Sequence, residues 1–148
     1  MTVTDGSGGS GVGSASPDFS IDTISGATFR SPTGKPTVLY FLAGWCSSCV
    51  PEAQALDQIE RATGDRVAIL AVSADPTDSA STLQQFAQFV GSPRYGFALD
   101  DGTLVRRLGV RALDTTIVLD PAGRIVYRDA IPTEESTLRA ALARAGLR

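Results

Sequence analysis

Val38-Leu39-Tyr40-Phe41-Leu42-Ala43-Gly44-Trp45-Cys46-Ser47-Ser48-Cys49 is the stretch that decides how this chain is read. Its first six residues are apolar without alternation, the pattern of a central strand buried on both faces. Beyond it, Cys49, Ala53 and Leu56 fall at i, i+4 and i+7, and Ile59 follows three later, which is one face of a helix over 51–62. The two cysteines are the only ones in the chain. They stand where a strand ends and a helix begins, and the open amides and partial positive charge of a helix N-terminus favour a thiolate there. Cys-x-x-Cys in that setting reads as a dithiol/disulfide redox site. Helical spacing turns Cys49 toward the core and leaves Cys46 one turn earlier, at the open end. Cys46 is therefore expected to be the exposed, attacking thiol and Cys49 the shielded, resolving one.

Two other uses of the pair are weaker. A structural zinc site needs four ligands, and this chain has no His and no third Cys. A purely structural staple across so short a loop removes little chain entropy. With no His, acid–base work falls to a carboxylate, Lys, Tyr or a thiol.

The 148 residues suffice for one domain with a full core. Residues 1–16 are rich in Gly and Ser and read as a flexible linker or cloning remnant, with a domain over 17–148. Net charge is −3 and the arginines are scattered, which argues against nucleic acid as a partner. No apolar run approaches the ~20 residues of a membrane span. No cofactor is expected.

Elsewhere, Phe19 and Ile21, a turn at Ser25-Gly26, and Ala27-Thr28-Phe29 read as an N-terminal hairpin. Residues 67–72 form a second buried strand, completing a βαβ unit. Leu83, Phe86, Ala87 and Val90 mark a second helix, and Phe97-Ala98-Leu99 a short strand. Residues 104–108 read as a short helix. Strands over 115–119 and 124–127 should pair antiparallel across the turn Asp120-Pro121-Ala122-Gly123. A last helix starts at Thr133 and ends at Gly146.

This order, with Trp45-Cys46-Ser47-Ser48-Cys49 after the first buried strand, resembles the thioredoxin superfamily. Pro17-Asp18-Phe19, the segment inserted over 75–101, Glu52 three residues after the second Cys, and Thr115-Thr116 resemble its TlpA/ResA-like branch of tethered, extracytoplasmic bacterial thiol–disulfide oxidoreductases. The resemblance implies an α/β fold, a central mixed sheet flanked by helices, with the N-terminal hairpin and a βα insertion. It implies protein disulfides or dithiols as substrates, a membrane-bound electron donor, a monomer, and a cell-envelope location with the anchor outside this chain. It places Glu52 near the thiols as acceptor of the Cys49 proton, and Trp45, Leu113 and Asp114 at the substrate.

Three positions depart from the family pattern. Tyr40 stands where thioredoxins carry a buried acid and is expected to be core, without a chemical role. Gln54 replaces a helix proline. Asp114 replaces the cis-proline that faces the cysteines, and a trans Leu113–Asp114 bond is expected, since a non-proline cis bond costs about 2.5–4 kcal/mol. A peroxidase would need Thr or Ser three residues before Cys46, where Ala43 stands. The alternative is a thiol module for Cu(I), Zn or Hg using Cys46, Cys49 and Asp114.

Overall fold

The computed structural model describes residues 11–148. Its centre is strand β3, Thr37–Leu42, buried at every position. Because successive side chains leave a strand on opposite faces, β3 feeds two cores. Val38, Tyr40 and Leu42 join one cluster with Leu56, Leu83 and Leu138. Leu39 and Phe41 join the other with Leu104, Leu108 and Ile117.

The main sheet runs in the order β5-β4-β3-β6-β7. β4 (Ala68–Ser73) and β5 (Gly96–Leu99) lie parallel on one side of β3. On the other side β6 (Thr115–Leu119) runs antiparallel to β3, and β7 (Ile125–Ala130) runs antiparallel to β6. β1 (Phe19–Asp22) and β2 (Thr28–Ser31) form the expected separate hairpin. It packs Phe19, Ile21 and Phe29 on the second cluster. The sheet is thus mixed, as expected, with helices on its faces.

Helix α1, Val50–Thr63, begins one residue before the expected start and ends one residue after the expected end. Pro51 lies in its first turn, where a missing amide costs least. The insertion contributes α2, Ala80–Phe89, and the edge strand β5. Ser79 caps α2, its hydroxyl accepting from the Thr82 amide at 3.1 Å. α3 spans Thr103–Leu108 and α4 Glu135–Arg144. The last helix therefore starts later than the sequence suggests: Thr133 lies outside it and gives its amide to Glu52 at 2.9 Å.

Residues 11–16, which composition assigns to the linker, are tied to the β6–β7 hairpin. Gly13 N donates to Ile125 O at 2.8 Å, Ile125 N to Ser14 O at 2.9 Å, and Ser16 N to Gly123 O at 2.9 Å. Ordered structure thus begins before the expected boundary at Pro17, because backbone bonding needs no apolar side chains. The rest of the expected linker, residues 1–10, lies outside the described residues.

Candidate active site

The end of β3 delivers the chain into a tight turn. Cys46 N donates to Ala43 O at 3.0 Å, and Cys49 N to Cys46 O at 3.1 Å. A 3-10 turn over Ser47–Cys49 then runs directly into α1. Cys46 and Cys49 are joined in a disulfide, with their Cα atoms 5.4 Å apart. Cys49 is fully buried, as its spacing predicted. Cys46, expected to be exposed, keeps only 5% of its surface. In the disulfide its sulfur is turned in toward Cys49, so the difference in access within the pair is one of degree.

That small opening of Cys46 borders an apolar surface. Trp45, Val50, Phe86 and Phe89 line it, and Trp45 and Phe89 are 63% and 75% exposed. The indole of Trp45 donates to Asp75 Oδ2 at 2.6 Å, and this bond holds the Asp75 carboxyl below its usual range. Gly44 seats the turn: its amide donates to Asp78 Oδ2 at 2.7 Å, and an added Cβ would meet Thr82 Cγ2 at 2.9 Å. The loop before α2 thus grips the turn that carries the cysteines.

Asp114 approaches from the loop before β6. It is 6% exposed, its φ is +64°, and its peptide bond to Leu113 is trans, as expected. The left-handed conformation is one that Asp tolerates better than most residues. Its amide donates to Phe41 O at 2.9 Å. Oδ1 accepts from the Tyr40 hydroxyl, and Oδ2 accepts from Ser48 Oγ at 3.3 Å. Ser48 Oγ also lies 3.3 Å from Cys46 Sγ. A carboxylate oxygen of Asp114 and the two sulfurs all fall within 4.8 Å of one another. This trio is the one the metal alternative requires. In the disulfide neither sulfur is a thiolate, the form that binds metals. Leu113 is half-buried and packs on the first core cluster.

Tyr40 is not the inert core residue expected. It is fully buried, and its hydroxyl bonds Asp114 and lies 3.2 Å from Cys49 O. Burial first, and then the nearby Glu52 and Asp114 charges, push its ionisation far above the normal phenol range, so it remains a neutral donor.

Glu52 is 1% exposed and lies in the first turn of α1. Oε2 accepts from the Thr116 hydroxyl and Oε1 from the Thr133 amide. Burial pushes its carboxyl up to about 8, against the pull of those two hydrogen bonds. Thr116 and Thr133 thus each bond one oxygen of this carboxyl, while its burial favours the protonated form. Gln54 is exposed on α1. Ser48 carries no signal in the sequence for the bond it makes to Asp114. No residue type at the centre of Cys-x-x-Cys announces a bond to a side chain 66 positions away.

A disulfide-forming Cys-x-x-Cys at the head of the first helix, after the central strand of this mixed sheet, defines a thioredoxin-like thiol–disulfide oxidoreductase. The chain belongs to the AhpC/TSA family, whose model matches residues 12–128. It is 32% identical over 142 residues to the "Mercury resistance operon ORF3" protein of Streptomyces lividans, covering 93% of this chain and 75% of that one. It is also 32% identical over 125 residues to the thiol:disulfide interchange protein DsbE of Yersinia pestis, covering 80% of this chain and 64% of that protein. Among solved structures, it matches a secreted Mycobacterium tuberculosis disulfide oxidoreductase described as homologous to E. coli DsbE. That match has a TM-score of 0.73 and 26% identity, and covers 85% of this chain and 95% of the other. Among the described residues, no helix is long and apolar enough to cross a membrane.

Proposed function

We propose that this protein exchanges its Cys46–Cys49 dithiol or disulfide with protein substrates outside the cytoplasm, drawing electrons from a membrane-bound donor. The observation that carries the reading is the asymmetry of the pair. Cys46 keeps an opening beside the exposed Trp45 and Phe89, whereas Cys49 has none. The Cys46 thiolate, favoured by the amides at the head of α1, attacks a substrate disulfide and forms a mixed disulfide. Cys49 then attacks Cys46, the internal disulfide closes, and the substrate leaves reduced. Run in reverse, the same site oxidises a dithiol. Trp45 and its apolar neighbours would receive the side chains flanking the substrate cysteine, with Leu113 and Asp114 bounding the opposite side. The relatives named for thiol:disulfide interchange and for secretion support the activity and the location.

Trapping variants test the assignment. Cys49→Ser should accumulate a mixed disulfide through Cys46 when mixed with a disulfide-bonded protein, read by non-reducing electrophoresis and mass spectrometry. Cys46→Ser should trap little. The reverse pattern would exchange the two roles.

A further inference from the structure

Closing the internal disulfide requires a fully buried thiol, Cys49, to lose its proton. Something buried has to receive it. Glu52 is poorly placed: it bonds Thr116 and Thr133, and among the described residues it is not part of the cluster that a carboxylate oxygen forms with the two sulfurs. Asp114 is differently situated: one of its oxygens lies within 4.8 Å of both sulfurs, and its backbone enters from another part of the chain. The Tyr40 hydroxyl fixes Oδ1, and Ser48 links Oδ2 to the Cys46 side of the site. Ser48 is exposed, so this chain of groups runs from the buried carboxylate to the surface on which a substrate sits.

We propose that Asp114 is the base that takes the Cys49 proton in the resolving step, with Tyr40 as its positioning residue and Ser48 as the relay to the substrate. The proposal rests on the exchange reading above. In the mixed disulfide Cys46 bears no charge, so the carboxylate faces no neighbouring thiolate. Cys49 S–H passes its proton to Asp114, and the resulting thiolate attacks Cys46 Sγ. The Cys46–Cys49 bond forms, and the bond from Cys46 to the substrate sulfur breaks, its electron pair leaving on that sulfur. The proton then passes from Asp114 through the Ser48 hydroxyl to the departing thiolate, and the carboxylate is restored. The dithiol is oxidised and the substrate disulfide reduced, with no net change in protons.

The ionisable groups facing Asp114 are Tyr40 from β3, the two thiols from the turn, and Glu52 from α1. In its own loop, Arg111 is exposed. Tyr40, on the central strand, thus ties down an acid that enters from the opposite loop.

The test follows single-turnover oxidation of the reduced protein by glutathione disulfide, with acid quenching and mass spectrometry from pH 5 to 9. The variants are Asp114→Asn, Ser48→Ala and Glu52→Gln. Asn keeps the shape and accepts a positive φ, so the fold is expected to survive, and a thermal melt checks it. In Asp114→Asn the Cys46–glutathione adduct should accumulate. Its resolution at pH 7 should slow about 100-fold, at the low end of what a positioned base contributes. The pH profile of resolution should move to alkaline values. Initial attack should not slow, since removing a negative charge beside Cys46 shifts that thiol's profile to lower pH. Ser48→Ala should show a smaller loss in resolution alone. Resolution in Asp114→Asn that matches wild type across the pH range would overturn the proposal, as would the same loss appearing in Glu52→Gln instead. A wild-type dithiol that glutathione disulfide leaves unoxidised, or an Asp114→Asn adduct carried on Cys49 rather than Cys46, would instead overturn the exchange reading beneath it.

Discussion

Glu52 is where burial and charge compete most openly. Its folded carboxyl titrates at about 8 rather than near 4.5, with burial as the leading cause. Below about pH 4.5 both folded and unfolded chains hold the proton, and the group is neutral to stability. As pH rises from there to about 8, the unfolded chain releases the proton and the folded one keeps it. Stability therefore falls across that window, by roughly 4–5 kcal/mol at about 1.4 kcal/mol per pH unit of difference. Glu52→Gln removes the titration and copies the protonated carboxyl, its Oε1 able to accept from the Thr133 amide and its NH2 able to donate to the Thr116 hydroxyl. We expect the Glu52→Gln variant to lie close to wild type at about pH 5 and to be the more stable of the two at about pH 8, in urea titrations at both values. Glu60, also raised by burial, contributes a slope common to both proteins. Parallel curves would mean that Glu52 is ionised in the fold at neutral pH. The residues of this site were legible in unequal measure. Cys46, Cys49, Glu52 and Asp114 were all legible in the sequence, because motif spacing or a missing family residue marked them. Tyr40 and Ser48 were not legible as polar participants. Their bonds to Asp114 span 74 and 66 positions, and no local pattern encodes such a pairing.

At the scale of elements, periodicity carried most of the reading. β3, α1 and β4 follow from an unbroken apolar run, a helical stripe and a second run, and helix α1 came within one residue at each end. Thr133 misled because it has the side chain of a cap, while its amide is taken by a carboxylate on another helix. The loop before α2 was legible as a loop but not as a clamp. Its Asp75 and Asp78 reach the turn through contacts that span 30 and 34 positions. That clamp depends on Gly44. A Cβ there would press on Thr82, including its backbone carbon at 3.0 Å, in the first turn of α2. Gly44→Ala should therefore push the cysteine turn and α2 apart and lower stability by about 1–3 kcal/mol, in the range of other overpacked sites. It should also increase iodoacetamide labelling of Cys46 in the reduced protein, as the turn loosens. A change below about 0.5 kcal/mol would indicate that α2 yields freely and does not clamp the site.

At the scale of the molecule, residues 11–16 pose a question about what ordered backbone contributes. Gly13, Ser14 and Ser16 exchange three main-chain bonds with the β6–β7 hairpin, and the Arg124 guanidinium donates a further bond to Gly13 O at 2.6 Å. At about 1 kcal/mol each, these bonds return about 4 kcal/mol, less than the roughly 6–12 kcal/mol that ordering six residues costs at about 1–2 kcal/mol apiece, so the segment adds no net stability. No apolar side chain tips the balance, since Val12 is 65% exposed. A chain beginning at Pro17 should therefore melt within a few degrees of one beginning at Gly11. The difference should appear elsewhere. β7 is the last strand of the sheet, and the segment covers its entry through the bridge between Ala15 and Arg124. Without it, Ile125 N and Gly123 O lose their partners on an open edge, which is a template for pairing with another chain. We expect the shorter chain to self-associate with rising concentration, seen by light scattering, while the longer one stays monomeric. Two chains with equal scattering would mean that Arg128 and Asp129, further along β7, already keep that edge from pairing. A drop in melting temperature of roughly ten degrees or more would place residues 11–16 inside the cooperative fold.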